Sequence, residues 1–444
     1  MVKNSIRTGC CSPEIPSLFR KLASIVVLGA LVTAAAAQQT ATPAASGPQR
    51  WLQAGVSATT AYDSNVRQNN SALLGGMEED LAGRLQLAQQ TPTSDWSLVY
   101  QPVFDLFPSL SALNSLNQTA AFQATVRPTE RWTLNGTASG GYWEQLRPQD
   151  YTGPEALTGP EPNALFARTR EATGAGQLQL GYTLSPRLTV DAYGGYSVRR
   201  FPDAGALAST LSGVRGNQSG AAIQFAATPR TQWGLQLEEQ NFSIGSDSHL
   251  AAESAVASWT HDWTALTRTV VSAGPEYSHV HALYTFALDA GGLPLTVTDR
   301  TDRVRVYPRL AARIEQQNLT FPWSLAVSSE VSNGGGALPF PVRLLEASAD
   351  LAPRLPRHWR LQLGVQADRF TTLTSGALAG RVQMAVASAA LEHPLGPQLS
   401  LQIETSLLLQ RSQGSLPLTP AVTRGLVGVR LSWQWPPRGV GEDQ

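Results

Sequence analysis

The chain of 444 residues holds two cysteines, Cys10 and Cys11, and none after them. Everything downstream is therefore without disulfides, thiol nucleophiles or thiolate metal sites. Histidine is nearly as scarce, with six in all, and no nucleophile-elbow or metal-binding motif is present. After residue 37 no stretch approaches ~20 consecutive apolar residues, so no transmembrane helix is expected. Charge of either sign is not in excess: 33 basic residues face 33 acidic ones, which gives no reason to expect a nucleic-acid partner. Neither a cofactor nor a metal is expected, and the chain reads as no enzyme.

What is present begins with an export signal. Arg20 and Lys21 precede an apolar run over 22–32, which ends in Thr33 and Ala34-Ala35-Ala36-Ala37. A basic flank, a short apolar core and an Ala-x-Ala end make a secretory signal peptide over 1–37, with cleavage expected after Ala37. Both cysteines lie ahead of the apolar core, so neither reads as a lipoprotein acceptor. Removing 1–37 takes away Lys3, Arg7, Arg20, Lys21 and Glu14 and leaves the rest slightly acidic. Residues 38–50 are polar and contain proline, and read as a flexible periplasmic lead.

From there a hairpin repeats, and its cleanest copy runs over 380–411. On the second limb Leu399, Leu401, Ile403, Leu407 and Leu409 alternate with Ser400, Gln402, Glu404, Ser406 and Gln410. A strand with that pattern has one apolar and one polar face. The first limb carries Val382, Met384 and Val386 against Arg381 and Gln383. Between them His393-Pro394-Leu395-Gly396-Pro397 is expected to stand outside the sheet, because proline cannot donate to the ladder. Similar short turns are expected at 91–95, 127–131, 185–187, 228–231, 260–262, 318–322 and 353–357. Longer connections are expected between them, among them 143–170, 201–216, 278–300 and 333–342. A more apolar one is expected near 105–116.

Eight short turns join sixteen strands, and the first and last strands make about eighteen, an even number that suits a single-chain bacterial barrel. Both ends then fall on the side of the short turns, which is expected to face the periplasm. Strands of about ten to thirteen residues, at ~3.3 Å per residue and ~40° of tilt, span the ~25 Å apolar band of an outer membrane. Trp96, Trp132, Trp233, Trp259, Trp263, Trp323, Trp359, Trp433 and Trp435 lie near short turns or the C-terminal end. Tyr62, Tyr142 and Tyr196 stand at the opposite strand ends. Two interfacial girdles have this form. A soluble sandwich or β-helix would leave the confinement of nine tryptophans to one strand end without a cause. The expected fold is all-β: a transmembrane, antiparallel, up-and-down β-barrel over 51–435 with a periplasmic tail over 436–444, in the outer membrane of a Gram-negative cell. Its partners are then membrane lipid and a hydrophilic solute.

A barrel of that size has room for water inside, so its polar face carries the chemistry. Over 301–316, Val304, Val306, Pro308, Leu310, Ala312 and Ile314 share one face. Arg303, Arg305, Arg309 and Arg313 share the other with Tyr307. Four guanidiniums in line suit carboxylate or phosphate groups, which each fork binds bidentately. Alternatively they brace the wall by pairing with Glu238, Glu315, Asp368 or Glu404. Tyr193 and Tyr307 are the inward aromatics that could stack on sugar rings. His279 and His281 share a face, with Glu276 or Asp289 as neighbours for a metal, but two solvated histidines are the simpler expectation. A barrel hydrolase would need a histidine beside a carboxylate or serine. His249 after Asp247 and Ser248, and His279 after Ser278, supply the residue types without a diagnostic spacing.

The element Ala61-Tyr62-Asp63-Ser64-Asn65-Val66, directly after the first strand, resembles the β-barrel porins found with exopolysaccharide and capsule assembly systems. That resemblance implies an outer-membrane passage for polysaccharide or its fragments, served by periplasmic export components. The strand count and the arginine set are also similar to those of alginate-type exporters, which pass acidic sugar chains. The chain departs from some exporters in having no periplasmic helical-repeat domain. A porin-like channel passing hydrophilic solute, foremost oligosaccharide or an anionic exopolysaccharide for export, is thus the leading expectation, with a general diffusion or nutrient-uptake porin second and a barrel hydrolase third.

Overall fold

Strands with one polar and one apolar face have no exposed edge to satisfy only if the sheet closes on itself. The computed structural model describes residues 49–66, 74–144, 170–203, 213–245, 248–290, 293–318, 320–333, 341–374, 379–414 and 421–439, with backbone alone over 283–290 and 293–299. Its first strands are β1 (Gln49–Asp63), β2 (Gly76–Gln90), β3 (Ser94–Leu106), β4 (Ser115–Val126), β5 (Trp132–Trp143) and β6 (Glu171–Ser185). Then come β7 (Leu188–Arg200), β8 (Val214–Thr228), β9 (Thr231–Ile244), β10 (Ser248–Asp262), β11 (Thr267–Ala290) and β12 (Leu293–Gln316). The wall is completed by β13 (Trp323–Ser332), β14 (Val342–Leu351), β15 (Arg360–Thr372), β16 (Gly380–Pro394), β17 (Leu399–Gly414) and β18 (Val422–Gln434).

Each strand pairs antiparallel with the next, and β18 returns to β1 from Gly55↔Gln434 to Asp63↔Leu426. The result is the closed eighteen-strand barrel that the turn alternation predicts. Below β18 a two-residue strand, β19 (Arg438–Gly439), pairs with Trp51 and Leu52 of β1. The signal segment, most of the lead and the last five residues lie outside the described residues. No described helix is long and apolar enough to cross a membrane.

The alternation sorts the two faces. Leu81, Leu85, Leu98, Phe104, Leu178, Leu180, Leu235, Leu237, Val427 and Val429 point outward, each more than a third exposed. The nine tryptophans sit at the short-turn end. Trp259 stacks on His261 (5.5 Å between centroids) and Trp359 on His393 (4.4 Å).

Three turn expectations need correction. The turn expected at 260–262 lies at 263–266: without proline to stop it, β10 runs on to Asp262. Thr264 then builds the turn, its Oγ1 accepting from the N–H groups of Leu266 (3.1 Å) and Thr267 (3.0 Å). His393 and Pro394 belong to β16, Pro394 standing opposite Ser400, because a proline at the strand's end has no ladder bond to lose. The long loop expected at 278–300 is instead strand: β11 and β12 pair without a break from Thr267↔Gln316 to Ala290↔Leu293. The run is rich in Val, Thr, Tyr and Phe, which favour strand, so it extends the hairpin. The loops expected at 143–170, 201–216 and 333–342 lie mostly outside the described residues. The apolar connection after β3 forms a 3₁₀ turn (Ser111–Leu113), in which Phe107 and Leu113 pack with Val66.

At the long-connection end the interior is apolar. Val214, Phe242, Ile244, Leu250, Val280 and Leu373 form one cluster, and Val342, Leu344, Phe370, Val382 and Met384 another. Val382 and Met384 therefore turn into the barrel, with Arg381 and Gln383 on the outer face. Period-two spacing separates two faces but does not say which is inside.

The element at 61–66 is the clasp of the closure. Asp63 is buried; its Oδ1 accepts from Asn65 N–H (2.8 Å) and its Oδ2 from Arg424 Nε (2.7 Å). Asn65 Nδ2 donates to the Thr423 carbonyl (3.0 Å), and Gly425 N–H donates to Ser64 Oγ (2.7 Å). First and last strands are thus tied at their long-connection end. Asp63→Asn should leave Arg424 with only its longer 3.9 Å contact to Glu78 and cost about 1–3 kcal/mol, read as a lower urea midpoint and loss of heat-modifiable gel migration. Val429→Arg should cost ~2–4 kcal/mol on the apolar face and the same change at inward Ser432 far less, compared by urea unfolding in vesicles.

Candidate functional site

The parity of β12 is settled by its outer face, where Val304, Val306 and Leu310 are 54%, 65% and 47% exposed. Arg303, Arg305, Tyr307, Arg309 and Arg313 therefore all stand on the lumenal face, as the alternation predicts. Tyr193 on β7 also faces the lumen. The structure divides the six between two kinds of work.

Arg309 and Tyr193 converge on one carboxylate. Arg309 Nη1 lies 2.8 Å from Glu238 Oε1 and donates to Ser254 Oγ at 2.9 Å, while Nη2 reaches Glu330 Oε2 at 3.5 Å. Tyr193 Oη donates to Glu238 Oε2 (2.8 Å). Gln236 Nε2 donates to both Tyr193 Oη (2.7 Å) and Glu238 Oε2 (3.0 Å), and Gln240 Nε2 to Glu238 Oε1 (2.5 Å). The Glu238 side chain is only 2% exposed. A carboxylate so enclosed is tolerable only with a counter-charge and filled lone pairs, which this network supplies. Arg309 and Tyr193 thus brace β7, β9, β10, β12 and β13, as the alternative reading of the arginines expects.

Arg313 Nε pairs with Glu315 Oε2 at 3.1 Å, a half-open contact of modest strength. Arg303 and Arg305 make no ion pair or side-chain hydrogen bond with any described residue. Arg305 is exposed and Arg303 half-buried. Tyr307 lies beneath the guanidinium of Arg343, 5.6 Å from its ring centroid. The β12 arginines without a described ion-pair partner reduce to Arg303 and Arg305, and Arg343 of β14 lies on the same side over Tyr307. Of the carboxylates expected as braces, Glu238 and Glu315 meet β12 arginines, whereas Glu404 pairs with Arg430 (3.3 Å). Asp368 accepts from Gln366 (3.1 Å).

Other groupings had no local signal. Glu78, Asp80 and Asp105 each bring a carboxylate oxygen within 4.8 Å of the others on the inner wall, Arg424 Nη2 approaching Glu78 to 3.9 Å. Ser115 Oγ donates to Asp105 Oδ2 (2.7 Å). Glu276 faces the lumen, where its Oε2 accepts from Val331 N–H (2.8 Å). It is on the opposite face from His279 and His281 and cannot join them at a metal, since neighbouring strand positions point apart. His279 Nε2 instead meets Asp302 Oδ1 at 2.9 Å. Asp289 and Asp247 lie outside the described side chains. Ser248 and Ser278 face inward, away from His249 and His279, so neither histidine has its adjacent serine within reach.

No protein-family model matches the sequence, and no curated protein matches it. Solved structures of similar build include Pseudomonas aeruginosa OccK9 (OpdG), with TM-score 0.45 and 12% identity over 88% of this chain and 98% of that one. A BenF-like porin from Pseudomonas fluorescens Pf-5 gives 0.43 and 12%, over 88% and 99% of the two chains. Pseudomonas aeruginosa OprD gives 0.42 and 7%, over 87% and 95%. At such identities and scores these are other barrels of similar build, and nothing of their activity carries over. The resemblance to exopolysaccharide-associated porins finds no support in these comparisons.

The division of labour has a measurable consequence. Arg309→Gln should strand Glu238 and cost about 3–5 kcal/mol. Arg305→Gln should change stability by no more than about 0.5 kcal/mol. Urea midpoints of the two refolded variants in the same lipid would compare them.

Proposed function

We propose that the chain is an outer-membrane channel for hydrophilic solutes with a preference for anions, among which acidic oligosaccharide or exopolysaccharide is the favoured cargo. The observation that carries this reading is Arg303 and Arg305, which pair with no described residue on the inner wall of a closed barrel whose outer wall is apolar. Closed barrels are the form in which strands cross a bilayer, and the signal-like N-terminus directs such a chain to export. The short turns and both ends then face the periplasm, where export components would hand over a polymer. Guanidiniums bind carboxylate and phosphate through paired donors, so the wall offers successive weak stations for an acidic chain.

Apolar clusters line the inner side of β8 to β16 at the long-connection end, which favours selective passage over unselective diffusion. In planar bilayers the barrel should conduct with anion preference and be blocked by an oligouronate. Arg303→Gln with Arg305→Gln should abolish both behaviours. Unchanged selectivity in that double variant would leave the arginines without a role in passage.

A further inference from the structure

The wall is not continuous between β12 and β13. β12 stays paired with β11 throughout, yet with β13 it pairs only from Gln316↔Trp323 to Leu310↔Ser329. At ~2.5 Å of rise per residue in a tilted strand, the split begins ~15 Å above Gln316, inside the ~25 Å apolar band. Pro308 lies just past the last pair and has no N–H to offer a neighbour.

Beyond the split, β13 and β14 turn inward and lap over the inner face of β11 and β12. Leu325, Val327 and Leu345 are on the outer face of the barrel, 48%, 46% and 43% exposed. Val331 and Arg343 share their parity but meet the lumenal side of β11 and β12. Val331 N–H donates to Glu276 of β11, and its side chain packs in the cluster with Val280 and Ala282. Arg343 covers Tyr307 of β12 and donates to Ser329 Oγ from Nε (3.3 Å) and Nη2 (3.2 Å).

The lap leaves the edge of β12 beyond Leu310 without a partner strand among the described residues, a crevice open to the side. Inside it stand Arg303, Arg305 and Arg343 with Tyr307; flanking it on the outside are Val304 and Val306. The cations lie at the depth where the outer half of a bilayer meets its headgroups. An unpaired strand edge at that depth is costly against hydrocarbon and is satisfied by polar headgroup atoms. We propose that this crevice is a lateral binding site for an anionic amphiphile of the outer leaflet, its carboxylate or phosphate head on Arg303, Arg305 and Arg343 and its apolar tail in the bilayer beside Val304 and Val306. The proposal rests on the reading that the barrel spans a bilayer, and it adds a second entrance, through the wall, to the one along the axis.

The chain after Cys11 has no cysteine, so single labels are placed without background. Tyr307→Cys carrying bimane, refolded in phosphatidylcholine vesicles, should be quenched severalfold more by doxyl-stearate than by doxyl-phosphatidylcholine. That preference should vanish in Arg303→Gln with Arg305→Gln. Equal quenching by the two probes, or none beyond that of a label at lumenal Ser57→Cys, would overturn the site. A label at Val429→Cys reports separately on the bilayer: if doxyl-phosphatidylcholine fails to quench it, the membrane reading itself fails. The lap has its own check. Were β13 to continue alongside β12, Pro308 and Val331 would face each other. A disulfide between Pro308→Cys and Val331→Cys would therefore refute the crevice, whereas Val280→Cys with Val331→Cys should cross-link.

Discussion

In hydrocarbon there is no water to take up a free N–H or carbonyl, so a strand is stable there only with both edges paired. Everything else in this molecule follows from meeting that demand. The ladder from β1 to β18 meets it by closing, and closure requires that the first strand find the last across the whole chain. The Asp63–Arg424 pair does this work at the end where the ladder would otherwise fray, with Ser64 and Asn65 adding bonds to Gly425 and Thr423. A buried ion pair is a weak source of net stability, but it selects one register, since a slip by one residue would leave both charges unpaired.

Inside the wall the same accounting applies to charge. Glu238 is enclosed because Arg309, Tyr193 and two glutamines fill its lone pairs, and the five strands they span are held at fixed spacing. Arg309 is taken up in this way, whereas Arg303 and Arg305 meet no carboxylate among the described residues. The two kinds of arginine lie on one strand face, a few residues apart, and differ only in whether a carboxylate from another strand reaches them. Where β13 leaves β12, the closure demand is relaxed locally, and polar groups gather there: three guanidiniums, a tyrosine ring and a proline that removes one donor.

How much of this was legible beforehand depends on the range of the interaction. Alternation is a nearest-neighbour property, so the strand count, the common face of Val304 and Val306 and the collection of tryptophans at one end could be read directly. Turns marked by proline were legible to within two residues; the turn built by Thr264, which lacks it, was displaced, and the strand runs over 278–290 and 293–300 were missed. The element at 61–66 was noticed as a motif, but its role as a clasp could not be inferred, because its partners lie 358 to 361 residues away.

The sequence by itself determined that the chain forms an even number of antiparallel strands with one apolar face each, because side-chain period and turn chemistry are local and survive without context. Only the tertiary structure decided which arginine pairs with a carboxylate of a distant strand and which meets no described partner, since the Arg309–Glu238 contact joins residues 71 apart. It also decided that Val382 and Met384 turn inward, and that β13 laps inside β12. Those outcomes depend on how the tilted strands meet around the barrel, and a spacing rule along one strand holds no information about its neighbours.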